Sequence, residues 1–142
     1  MPPMRRRFVS LAAITLSSLL AACVASPDDA ARLSAEHPLD QRSSHGLVEA
    51  TVSLDGPELN RGPNDLSVAL RAAEGAAQAR LVSVEAAMAA HGHRASPTEI
   101  VSDGEAFHVV GLDLFMSGRW QISLGVEVDA SSDLVEFALD VP

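Results

Sequence analysis

The stretch "MAAHGHR", residues 88–94, sets Met88, His91 and His93 close together, and "MSGRW", residues 116–120, supplies a further thioether at Met116. Thioether and imidazole are the ligands that soft Cu(I) prefers. Gly92 lies between the two histidines and can take a positive φ, which would turn both rings toward one centre. A second account uses the same residues without metal. Met88 continues the inward parity of Val82, Val84 and Ala86, so its flexible side chain would fill the end of a core. Met116 would pack on Trp120 through a sulfur–aromatic contact worth about 0.3–1.5 kcal/mol, and the histidines would occupy an exposed turn. The residue types alone leave both accounts open.

Either account needs a scaffold that brings these segments to one end of a fold. From Leu47 onward the apolar residues recur with period two, the mark of strands buried on one face. Val48, Ala50, Val52 and Leu54 alternate with Glu49, Thr51 and Ser53. Leu66, Val68 and Leu70 repeat the pattern, followed by Val82, Val84, Ala86 and Met88. Asp103-Gly104 separates two further runs as a hairpin signal. Trp120, Ile122, Leu124, Val126 and Val128 then alternate cleanly, as do Val135, Phe137, Leu139 and Val141. About seven short strands with turn signals at this spacing predict an all-β, immunoglobulin-like antiparallel β-sandwich. Trp120 is expected to anchor the core between the sheets, and Gly118 to supply a tight turn before its strand.

The first two dozen residues carry a different message. Arg5, Arg6 and Arg7 form a positive leader, and Phe8 to Ala22 form an apolar run too short to span a bilayer comfortably. The run ends in "LAAC", which resembles a bacterial lipobox; that resemblance implies cleavage before Cys23 and lipidation of its thiol. Cys23 is the only cysteine, so no intramolecular disulfide can form. Several acyl chains, at about 0.8 kcal/mol per buried methylene, would tie the domain to a membrane. Val24 after the cysteine, in place of Asp, points by the same resemblance to the outer membrane, facing the periplasm. The organisation expected is a signal peptide over 1–22, a lipidated Cys23 with a flexible tether over 23–45, and a β-sandwich over 46–142. His37 and His45 fall in that tether and are expected to be solvated.

Charge narrows the partners. The formal net charge is −9, and loss of the three leader arginines takes it to −12. Such a surface repels phosphate backbones, which argues against nucleic acid. The sequence has no G-x-S-x-G, H-E-x-x-H, P-loop or C-x-x-C pattern, so a non-catalytic protein is expected. No calcium loop of the D-x-D-x-D-G kind occurs either, and Asp103, Glu105 and Asp113 read as solvated charges.

The segments "GPNDLSVAL" (62–70), "MAAHGH" (88–93) and "DGEAFHVVGLDLFMSGRW" (103–120), in this order, resemble the YtkA-like domain, over residues 47 to 141. That family is related to FixH-like proteins. Ala89 stands where the family has Pro, and Phe107 where it has Tyr. The resemblance implies a bacterial envelope protein and, through the FixH-type relatives, a link to copper delivery. The expectation is therefore copper binding or transfer through Met88, His91, His93 and Met116. The alternative is a non-catalytic interaction module, partnered by another envelope protein, in which these residues are structural.

Overall fold

The computed structural model describes residues 33–76 and 78–142. Among these residues nine strands run in chain order: β1 (Leu39–Arg42), β2 (Val48–Leu54), β3 (Gly62–Ala72), β4 (Ala79–Met88), β5 (His93–Ala95), β6 (Glu99–Ser102), β7 (Phe107–Leu114), β8 (Gly118–Val128) and β9 (Ser131–Val141). They form two antiparallel sheets, ordered β1-β2-β3-β7-β6 and β5-β4-β8-β9. The inward residues of the two sheets meet in one core, in which Leu66, Leu112, Leu114, Trp120, Ile122, Leu124 and Leu139 are fully buried. The chain is thus the antiparallel β-sandwich that its alternation predicts.

Nine strands stand where seven are expected. The two additions are β1 and β5, four and three residues long, too short for a period-two signal to stand out. β1 corrects the domain boundary as well, because residues 33–45 are not a free tether. Leu33 is buried in the core, Leu39 pairs with Val52, and the Thr51 hydroxyl donates to Asp40 at 2.5 Å. Polar "LDQR" joins the sheet through main-chain bonds and one half-buried leucine, which composition alone does not reveal.

The parity of β4 also needs correction. Val82, expected inward, is 43% exposed, while Leu81 and Val84 are buried. A bulge between Leu81 and Ser83 in the pairing with β8 inserts one residue and flips the faces there. The parity from Val84 through Ala86 to Met88 holds as expected, with all three buried.

Tight connections set the registers that matter below. Asp103 and Gly104 do lie in the β6–β7 hairpin, in a loop of residues 103–106. The β8–β9 turn places Asp129 at φ 54°, in the left-handed region that Asp tolerates better than most residues.

Candidate functional site

β4 ends at Met88 and β5 begins at His93, with a short loop between them. The His91 N–H donates to the Met88 carbonyl at 3.1 Å, which closes a β-turn. Gly92 follows at φ 66° and reverses the chain, as a left-handed glycine does. Met88 and His93 are then opposed in register across the two strands. Opposed residues of an antiparallel pair project from the same face, with Cβ atoms about 4.5–5.5 Å apart. Since Met88 is 2% exposed, that face is the inner one. His93 lies half-buried beside it, at the open end of the sandwich.

The β7–β8 connection arrives at the same pole. Phe115 packs edge-on against His93, with ring centroids 5.2 Å apart, and edge-on against Trp120 at 5.4 Å. The Trp120 indole N–H donates to the Met116 carbonyl at 2.9 Å, so the fully buried tryptophan holds the turn that carries Met116. Met116 itself is half-buried against the core. Gly118 opens β8 at φ 120°, and a Cβ there would lie 3.4 Å from the Met88 methyl; its positive φ shapes the entry to the strand. The His91 and His93 rings lie 6.1 Å apart at 23°.

The donor chemistry suits a soft metal. The His91 and His93 rings are stacked, so joint binding of one ion would require the rings to turn their nitrogens toward a common centre. Among the described residues no three His, Cys, Asp or Glu side chains form a metal-holding group. The thioethers of Met88 and Met116 are the further donors at this pole, of the kind that Cu(I) accepts. Phe115, 42% exposed, was absent from the residues expected at this site; its place next to Met116 in sequence was the signal available.

Elsewhere the fold assembles groups that sequence spacing does not connect. On the outer face of the five-stranded sheet, Ser67 on β3 is opposed to His108 on β7. The Ser67 Oγ lies 3.1 Å from His108 Nδ1, and His108 Nε2 lies 3.0 Å from Asp103. A hydroxyl, an imidazole and a carboxylate in line suggest nucleophilic catalysis. The hydroxyl, however, donates to Asp55 at 2.6 Å. The bond to Asp103, then that to Asp55, raises the His108 pKa. With its proton already engaged by Asp55, the hydroxyl is not presented to the imidazole as a nucleophile, and the cluster joins β7, the β6–β7 loop and the β2–β3 loop. Asp103 is accordingly more than a solvated charge. It accepts the N–H of Ala106 and of Glu105, and with the His108 bond these hold its pKa well below the carboxylate range.

His45 is solvated as expected, its side chain 78% exposed, yet that side chain is also held by one bond. Its Nδ1 lies 2.9 Å from Asp133, whose side chain is 1% exposed. The corner between β1 and β2 is thereby joined to β9 on the other sheet.

Cys23 and the expected signal peptide lie outside the described residues. No protein-family model matches the chain, and no curated protein or solved structure matches it.

Proposed function

We propose that this protein is a non-catalytic, lipid-anchored module of the bacterial cell envelope, held through Cys23 at the outer membrane, that binds or hands over Cu(I) at one pole of its sandwich. The reading rests on the register that opposes Met88 to His93. A sulfur and an imidazole on one face, at a half-buried strand end, offer soft donors where water is partly excluded. His91 and Met116 complete the set from the two adjoining loops. The resemblance to YtkA-like and FixH-related domains points the same way.

The test is a Cu(I) titration of the chain carrying Cys23→Ser, under reducing conditions and against a competing chelator. Stoichiometric binding that is lost in His93→Ala and in Met88→Leu supports the reading. Leu approximates the volume of Met and separates loss of a ligand from loss of packing. Equal, weak binding in all three proteins overturns it.

One observation favours a second reading, an interaction module without metal. Met88 extends the buried row of Val84 and Ala86, so packing alone accounts for the thioether. Under this reading Met88→Ala lowers stability by about 2–5 kcal/mol, and Cu(I) leaves the melting temperature of the wild-type chain unchanged.

A further inference from the structure

Two open sheets leave four edges, and an unpaired edge is a template for a strand from another chain. Three of the four are blunted. β1 and β6 are four residues each. The outer side of β4 is covered by β5 at Ala86–Met88 and kinked by the bulge between Leu81 and Ser83. Among the described residues β9 has none of these protections. Its eleven residues pair with β8 from Ser131 to Val141 without a shift in register.

One contact fixes which main-chain groups of β9 face outward. The Leu134 carbonyl accepts the Ser44 N–H at 2.8 Å and the Ser44 hydroxyl at 3.1 Å, from the corner between β1 and β2. Main-chain groups of an antiparallel strand alternate sides with period two. The even-numbered residues of β9 therefore direct N–H and C=O away from β8. Ser44 occupies the edge at Leu134. Past it, the outward groups of Glu136, Ala138 and Asp140 have no hydrogen-bond partner among the described residues, and the side chains of Glu136 and Asp140 are exposed.

Charge selects the occupant. Glu136 and Asp140 form no ion pair among the described residues, although Arg119 on β8 is opposed to Asp140. β9 carries no basic residue, so a second copy paired edge to edge would bring four carboxylates along the seam without a base on either strand. The chain's own residues 24–32, "VASPDDAAR", carry two aspartates, and Pro27 has no N–H to give. Opposite charges on facing strands stabilise pairing and like charges oppose it.

We propose that the outer edge of β9, from Glu136 to Asp140, accepts an extended segment of another protein with basic side chains at alternate positions, which extends the four-stranded sheet by a fifth strand. Main-chain bonds supply the affinity and the two carboxylates select the sign of the partner's charge.

The probe is a fluorescein-labelled peptide of alternating Arg and Val, with a Glu and Val peptide as its counterpart, titrated into the full chain in detergent. Saturable binding of the basic peptide is expected. Ala138→Pro removes one outward N–H, changes no charge and leaves the bonds to β8 in place; it should weaken binding about tenfold. Glu136→Lys with Asp140→Lys should reverse the preference toward the acidic peptide. Hydrogen exchange on the unsubstituted chain gives a reading independent of any variant's folding: peptide should slow exchange at the Glu136, Ala138 and Asp140 amides. Absence of saturable binding, undiminished binding by a folded Ala138→Pro chain, or unchanged exchange at those amides overturns the proposal. So does a dimer in sedimentation that the peptide fails to dissociate, because a second copy would then hold the edge.

Discussion

The His45 N–H lies 3.1 Å from both carboxylate oxygens of Asp133, 88 positions later in the chain. The same carboxylate accepts the N–H of Leu47 at 3.3 Å and of Leu134 at 2.8 Å. One buried acid thus satisfies main-chain donors from the corner of one sheet and from the edge strand of the other. Asn at this position keeps the shape but loses one acceptor oxygen and the charge. Bonds to a charged group contribute about 1.5–3 kcal/mol each, and a donor left buried without a partner costs further. Asp133→Asn is expected to lower the free energy of unfolding by about 3 kcal/mol, read by denaturant titration. A change within error would show that the corner is held by the Ser44 bonds alone.

The two histidine–carboxylate pairs give pH dependences of opposite sign. Burial pushes the Asp133 pKa up, but bonds from Ser43, Leu134 and His45 outweigh it and leave the pKa below the ordinary 3.8. Its contribution is complete above that value and is lost as the pH falls below it. His108 has a raised pKa, so its contribution is complete below the ordinary 6.5 and is lost as the pH rises through the higher folded value. Melting temperatures followed from acid to alkaline pH should show both limbs. Asp133→Asn should flatten the acid limb in part and leave the alkaline one unchanged, while His108→Gln should remove the alkaline limb and also trim the acid one, because the His108 bond helps to hold the Asp103 pKa down.

Period-two alternation made the sandwich legible from Val48 to Val141, since it reports burial directly. It was blind wherever main-chain pairing does the work. β1 has one half-buried leucine among polar residues, and β5 is three residues set by its partner. A single inserted residue at the β4 bulge carried Val82 to the surface while leaving its neighbours' chemistry unchanged. At the pole, the types and spacing of Met88, His91 and His93 were visible in the sequence, and register supplied what spacing could not, the opposition of Met88 to His93. Phe115 was hidden because only tertiary packing sets it between His93 and Trp120. The links of Asp133 to His45 and of His108 to Ser67 and Asp55 span tens of residues and leave no local pattern.

Gly111 offers a test of how closely β6 and β7 are joined. Its φ is 67°, and a Cβ would lie 2.6 Å from the Thr98 hydroxyl oxygen and 3.3 Å from the Thr98 Cβ. Gly75 has a similar φ of 82° in open space. Gly75→Ala carries only the backbone cost of a left-handed alanine, about 1–2 kcal/mol. Gly111→Ala adds crowding against Thr98, for a total of roughly 2–4 kcal/mol. Equal losses in the two variants, measured by thermal melts, would mean that Thr98 moves aside freely.

The two histidines of the pole should not be equivalent toward Cu(I). His93 is fixed by the β4–β5 register opposite Met88 and by the edge of Phe115, so its ring is positioned before any ion arrives. His91 sits on the turn itself, exposed, held through its main-chain N–H and one ring contact at 6.1 Å. A pre-positioned ligand contributes more than one that must be ordered on binding. In chelator competition, His91→Ala is expected to weaken Cu(I) binding about tenfold and His93→Ala by substantially more. Met88→Leu should match His93→Ala in affinity while melting close to the unsubstituted chain. The reverse order of the two histidines would place the metal outside the turn, on the solvent side of His91, and would detach it from the Met88 sulfur.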